Sequence, residues 1–412
     1  MKKSLSILLM MALLASSAGC SSTNTTKSTT TSEKTTTKTK VKNTKLASGT
    51  YTTTIGGTEV TYNAAYIVDG IDATISSGTY KSATADQCVF LVVNGGSLTI
   101  SDSTIDKSGD ASTSDSTRTQ DVSDTYNFYG INSAIVVVGE NSSASINGCK
   151  INTSSEGSNA VFSTNTATID IDDLTITTSA NSSRGLDATY EGVITAKNVN
   201  ISTKGSHCAA IATDRGNGTI TLTGKNKLNT SGEGSPCIYS TGNITVSNAT
   251  GSAAASETCV IEGKNSITLN KCKLSGNSTR GIMMYQSMSG DAADANASST
   301  HSTLTINNST ITNKGSGAMI YITNTVAQIT MTNTKLVNST STTLINAAAG
   351  NWGNSGSNGG TLTATFNKMT ISGSVTTDSI SSIAVNLNKK TTLTGSNSGN
   401  VSVKADSTSS QK

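Results

Sequence analysis

The chain has 412 residues, a formal net charge of +3, 34% hydrophobic and 4% aromatic residues, and one proline, Pro236. The charge is misleading: without Lys2, Lys3 and the six lysines of 21–46 there are 21 basic residues, and without Glu33 there are 25 acidic ones, so the body from 47 onward is near −4. A weakly acidic body with few aromatics excludes a nucleic-acid partner, which needs a basic face.

Residues 1–20 read MKKSLSILLMMALLASSAGC. Two lysines precede an apolar run, and small residues precede Cys20, as in a signal for export. The string resembles a bacterial lipoprotein signal, which implies a lipidated Cys20 as mature N-terminus and a membrane anchor. Ser17 stands where such signals usually carry Leu, so ordinary signal cleavage with secretion is the alternative. Residues 21–46 are Ser, Thr and Lys with little that is apolar. Such a segment buries too little surface to offset its ordering entropy, and it reads as a flexible tether.

Residues 47–64 read as a starting hairpin that caps the body, since an open terminal coil would expose unpaired strand edges. Beyond it apolar residues alternate with Ser, Thr and Asn, as in SLTISDSTI and NITVSN. Period two is the strand period. Between 181 and 285 one phrase returns every 22 to 25 residues: a small residue or Cys, an apolar residue, a Gly- or Asn-containing turn, then a strand. Gly192 and Gly216 read as equivalent, as do Cys237 and Cys259. A repeat of that length, built of short strands, signals a solenoid. The expected fold is all-β: a single-stranded right-handed parallel β-helix over 47–400, of about ten coils rising about 4.8 Å each. Its narrow core of stacked aliphatics suits the low apolar content. Three polar stretches break the period, at 107–128, 286–302 and 347–360, and residues 401–412 read as a disordered tail. Such insertions are either ordinary surface loops or the rim of a binding face.

The repeats resemble those of right-handed parallel β-helix proteins of the pectin-lyase-like class. The strings SPCIYSTGNITVSN, VIEGKNSITL, YQSMSGDA and NWGNSGSNGGTL are similar to those of bacterial secreted, adhesin-like β-helices. A more distant likeness is to β-helical carbohydrate-binding proteins of cell surfaces. The resemblance implies a surface-anchored, non-catalytic module that binds a polysaccharide or cell-surface glycan. The alternative it implies is a polysaccharide lyase or glycoside hydrolase, with calcium as the one cofactor it admits. A passive rod presenting a hydroxyl lattice is a third reading, weakened because the Thr positions scatter around the coil.

Six cysteines remain after Cys20: Cys88, Cys149, Cys208, Cys237, Cys259 and Cys272. They show no metal spacing and read as small buried hydrophobes, with disulfides the alternative. His207 and His301 have no Cys or His at zinc spacing. One column of the repeat should point outward: Phe162, Asp187, Ile211, Tyr239, Ile261, Met283 and Tyr321. Flat rings at strand spacing can stack on sugars, and Trp352 could close over the chain end. Two other readings stand: a loop such as 107–128 covers the column, or the register is off by one, which turns every side chain to the other face. A charged group comprises Arg184, Asp187, Glu191, Asp214, Arg215, Glu257, Glu262 and Lys264, with an acidic doublet at Asp172–Asp173. Solvated charges and coil-to-coil salt bridges account for it. Glu262, placed in a column with Ala188, Ala212 and Ser240, is expected to be buried and to need a partner.

Overall fold

A computed structural model describes residues 40–42, 46–113, 121–287 and 300–412. They belong to one compact unit, Lys38–Lys412. Cys20, the signal and most of the tether lie outside the described residues.

The unit is a right-handed parallel β-solenoid of about 13 turns, more than the ten expected. The late coils are shorter: Ile169 pairs with Ile194, 25 residues on, whereas Ile383 pairs with Val401, 18 residues on. The end of the chain is therefore not a loose tail. Val401–Ala405 and Ser410–Gln411 are paired strands. At the other end Lys40–Lys42, expected in the tether, pairs with Asp72–Thr74. Gly49–Ile55 and Thr58–Asp69 form the expected antiparallel hairpin, and the second strand continues as the first rung of one wall.

Each coil repeats one plan. A short strand such as Leu186–Thr189 lies on a 14-stranded wall. A tight turn leads to a longer run such as Val193–Thr203, on a 21-stranded sheet. Along that run Ile194, Ala196, Val199 and Ile201 are buried, while Thr195 and Lys197 face water. The run bends midway at a residue in the left-handed region. Asp102, Asp173, Asn198, Asn248, Asn308 and Asn333 hold this corner, with φ between 48 and 58°. Asn and Asp adopt that backbone at least cost among side-chain-bearing residues. Their side chains also join coils: Asn198 Nδ2 donates to Asp172 Oδ1 at 3.1 Å, and Asn333 Nδ2 to Asn308 Oδ1 at 2.8 Å.

The glycine alignment needs a two-residue correction. Gly192 stacks on Gly218 and Gly242, not on Gly216, because Val193 pairs with Thr219 and Thr219 with Asn243. A Cβ at any of the three would collide with a backbone carbonyl of the neighbouring coil: Ser163, Ala188 and Gly218 respectively. Close approach of the backbones, rather than turn geometry, demands glycine there.

Candidate functional site

The outward column of the 14-stranded wall is fixed by pairing. Phe162 pairs with Asp187, Asp187 with Ala212, Ala212 with Tyr239, Tyr239 with Val260, Val260 with Met283 and Met283 with Tyr321. Five of the seven expected residues stand in it. Ile211 and Ile261 do not: they are fully buried on the inner face, and Ala212 and Val260 take their places. The one-residue slip arises because the loops between strands differ in length from coil to coil.

The end of the 107–128 insertion, from residue 121 into Gly130, covers the upstream part of this column. After residues outside the described set, the chain forms a short helix, α1 (Asp124–Tyr129), where only a loop was expected. Gly130 ends it in the left-handed region at φ 69°, a role suited to glycine. Gly130 lies directly on the Phe162 ring, and Phe162 and Asp187 are both 0% exposed. Neither can be a ligand platform in this state. The segment is pinned by specific bonds: Thr189 Oγ1 donates to the Phe128 carbonyl at 2.8 Å, and Tyr62 Oη to the Tyr129 carbonyl at 2.8 Å. The Arg215 guanidinium lies 4.9 Å from the centre of the Phe128 ring.

Arg184 is the electrostatic anchor. It lies on the inner side of α1, nearly buried, and pairs with Asp121 at 2.7 Å and with Asp214, with Asp187 at 4.0 Å. Its Nη1 also donates to Asn127 Oδ1 at 2.8 Å. Burial opposes the charge of Arg184, but the three carboxylates outweigh it and hold its pKa well above the ordinary value. For Asp187 burial dominates, and the adjacent Asp214 carboxylate adds to it, so its pKa is well raised despite Arg184. Burial also acts on Asp121, but Arg184 and a Ser182 hydrogen bond overcome it and hold that pKa down. The network is therefore three acidic side chains about one guanidinium, with the Asp187 pKa pushed up and the Asp121 pKa held down.

Downstream of α1 the same column opens into a cleft of about 520 Å³. Its aromatic lining is Phe128 from α1, Tyr239 and Tyr285 from the wall, and Trp352 from the 347–360 loop. Trp352 packs on Tyr285 with ring centres 4.8 Å apart. The loop is closed by Asn358, whose Nδ2 donates to the carbonyls of Gly350 at 3.0 Å and Trp352 at 2.9 Å. Arg280 Nε donates to Glu257 at 2.8 Å, and its guanidinium lies 5.9 Å from both the Trp352 and Tyr321 rings. Beyond Arg280 a second groove of about 360 Å³ continues past Tyr321 and Asn346 to Thr376.

Glu262 is buried, at 1% exposure, and does have partners. It accepts the Tyr285 hydroxyl at 2.7 Å and the Tyr239 hydroxyl on the same oxygen. Burial and this carboxylate push the Tyr239 phenol well above its ordinary pKa. Its column is not the one expected. Ile261 pairs with Ser240, so Glu262 follows the outward face of Val260 instead of the inner Ala188 column.

Of the charged group, Arg184, Asp214 and Glu257 line the cleft, while Arg215, Glu191 and Lys264 do not. Asp172 and Asp173 lie on the other sheet, Asp172 paired with Lys197 at 2.9 Å and Asp173 at the bend. Sequence reasoning missed Asp121, Asn127, Phe128, Arg280 and Tyr285. Tyr285 sits two residues beyond Met283 on the same strand, where alternation around Met283 was the available signal, whereas Arg280, three residues before it, is out of phase with that alternation. His207 joins the cleft lining, a position that the repeat pattern did not indicate.

The six described cysteines are buried and free, not bridged. Cys259 pairs with Ile238, so it does not share a column with Cys237. Burial raises the thiols of Cys88, Cys208 and Cys237 to about 12, which leaves them inert packing groups. Among the described residues no group of three or more His, Cys, Asp or Glu is placed to hold a metal ion.

No protein-family model, curated protein or solved structure matches the chain significantly.

Proposed function

We propose that the chain is a non-catalytic glycan-binding β-helix, and that one polysaccharide strand lies along the outward column from α1 toward Thr376. The supporting observation is the cleft, where Tyr239, Tyr285 and Trp352 line a groove beside charged groups already fixed by partners. Rings supply flat apolar faces for sugars, and fixed polar groups orient them. Alternate coils are about 10 Å apart, near the repeat of an extended disaccharide, so one strand can contact several coils. The likeness to pectin-lyase-like and adhesin-like β-helices belongs to this reading, as does a lipid anchor at Cys20 holding the module at the cell surface.

A second reading, a glycoside hydrolase or lyase, is favoured by the Asp187–Asp214 pair, two adjacent acids of which Asp187 has its pKa pushed well up by burial and by Asp214. Against it, Asp187 is 0% exposed and does not line the cleft, so it cannot reach a glycosidic oxygen without movement of α1. The test is retention of the purified chain on insoluble polysaccharides, with and without calcium, with analysis of released products. Retention without new reducing ends or unsaturated products is the expected result. Product formation that is lost in Asp214→Asn would replace the binding reading with the catalytic one, and absence of retention on any polysaccharide would end both.

A further inference from the structure

We infer that the C-terminal tip of the solenoid carries a second binding site, separate from the cleft, for a linear phosphodiester polymer that lacks aromatic bases.

Charge distribution is the first observation. Residues 361–412 hold five lysines and two acids, a net charge of +3. Residues 47–360 hold 16 basic and 23 acidic residues, a net charge of −7. The solenoid is therefore acidic over most of its coils and basic at its last ones. Lys368, Lys389 and Lys390 surround a groove of about 430 Å³, completed by Met369, Thr370 and Thr408. All three lysines are exposed, and among the described residues none of their ammoniums has a hydrogen-bond or ion-pair partner. The two acids of this region are turned to the backbone. Asp406 accepts the N–H of Lys389 at 2.8 Å and of Thr408 at 2.9 Å, and Asp378 accepts those of Ala349 at 2.7 Å and Ile380 at 3.1 Å.

Backbone conformation is the second. Asn307 pairs with Thr332, Thr332 with Asn367 and Asn367 with Asn388. The residues that follow them, Asn308, Asn333, Lys368 and Lys389, therefore stack in one corner column, all with φ between 49 and 56°. Lys390 comes next at φ 66°. Asn adopts this left-handed backbone at low cost and Lys does not. Asn333 also bonds across to Asn308, whereas the lysines make no such link. Lys271 holds the same corner one coil before Asn308, but singly; only in the last coils do lysines come together. A local preference broken with no structural gain points to function. Protection of a terminal edge is an ordinary use of lysine, but Lys404 on the last long strand, Val401–Ala405, serves it.

The lining sets the ligand class. The groove has no aromatic ring on which a sugar or base could stack, and no carboxylate that would hold a cation. Ammoniums are point charges that approach a tetrahedral phosphate from several sides, whereas a planar carboxylate is better matched by the arginine fork. Lys368 and Lys389 are one coil apart, about 4.8 Å. Successive phosphates of one strand can therefore be held together and gain by avidity.

The experiment is equilibrium binding of the full chain to poly(glycerol phosphate) at low salt, beside a Lys368→Asn/Lys389→Asn variant. Asparagine is the residue that upstream coils place at this corner, so the variant should fold and match or exceed the wild type in urea midpoint. Its affinity for the polymer should fall about 25-fold, about fivefold per lysine, and the difference should shrink as salt is added. The lysines of 21–46 are the same in both proteins, so the difference reports the groove. If the double variant does not fold, Lys390→Asn decides by a loss of about fivefold. Retention on insoluble polysaccharides through the cleft should not change in either variant. Equal affinity of wild type and variant for the polymer overturns the inference. So does tighter binding of the wild type to polydeoxythymidylate, or to vesicles of anionic phospholipid, than to poly(glycerol phosphate). A lower urea midpoint in the double variant would show that the lysines serve the fold, and overturns it as well.

Discussion

Phe162 and Tyr321 occupy one column of one wall, yet they have opposite fates. Phe162 is sealed under Gly130 at 0% exposure, while Tyr321 stays half-buried beside Arg280 and an open groove. The strand pattern decides which face a side chain takes. An insertion projecting from a different coil decides whether that face meets water. The upstream column is thus a small second core outside the solenoid, joined by Val136, Leu91, Phe128 and Tyr129. The downstream column is an open cleft and groove lined by the same kinds of residue.

The sharpest way to break this comparison is at the anchor between the two regions. Arg184→Met leaves Asp121, Asp187 and Asp214 together without their cation. Removing one member of a buried ion pair costs about 3–5 kcal/mol, and we expect a loss of that size in chemical denaturation. Asp214→Asn added to Arg184→Met should restore part of it, because one uncompensated charge disappears. Next comes Phe162→Ala, which empties a site under α1 and costs about 3–5 kcal/mol, toward the lower end if the α1 segment settles into the gap. Glycan affinity of the folded fraction should be unchanged, since the ring does not line the cleft. An affinity loss without a stability loss would mean that the upstream column is a platform after all.

The solenoid was legible because its signal is repeated. Each coil restates the same alternation, so local misreadings average out over many coils. The site was legible only in part, since register must be right within one residue. Tyr239, Met283 and Tyr321 were placed correctly, whereas Ile211 and Ile261 were displaced by loops of unequal length. Nothing in the repeats announces that Phe128 and Asn127, 34 and 35 residues before Phe162, fold back over the column. That contact is long-range and depends on shape. Glu262 was legible as an anomaly, a charge in a run of apolar and small residues, but its partners required the pairing of Val260 with Met283.

A smaller effect separates Asp187 from Asp121, whose pKa values are shifted in opposite directions. Asp187 has a raised folded-state pKa, so its contribution to stability is fully present below the ordinary carboxyl value. That contribution is lost as pH rises from there toward the raised value. Asp121, held down by Arg184, has the opposite sign: its contribution is present above the ordinary value and lost as pH falls. Asp187→Asn keeps a neutral side chain at all pH. It should therefore match the wild type near pH 4 and gain on it as pH rises, by at most about 1.4 kcal/mol per unit for one proton. Urea midpoints across that range measure the slope. A difference independent of pH would mean that Asp187 is charged in the folded chain.

The smallest expected effect falls on the open side. Tyr321 lies past Arg280, one coil beyond Met283, where the groove is shallow and its walls are mainly hydroxyls and an amide. A single ring there is worth about 1 kcal/mol by analogy with aromatic pairs, so Tyr321→Ala should weaken glycan binding about fivefold. The loss should appear only with oligomers long enough to span from Tyr239 to Tyr321, three coils or about 14 Å. A disaccharide held at Tyr239 and Trp352 should bind the variant and the wild type alike. Tyr321→Phe should keep most of the affinity, because the stacking face remains and the hydroxyl makes only long contacts of 3.5 Å with the carbonyls of Ala348 and Ala349. Stability should change little, as the ring is half-buried and supports no buried polar group. If short and long oligomers lose affinity equally in Tyr321→Ala, the ligand does not run along the column, and the cleft between α1 and Trp352 is a closed site for a single sugar unit.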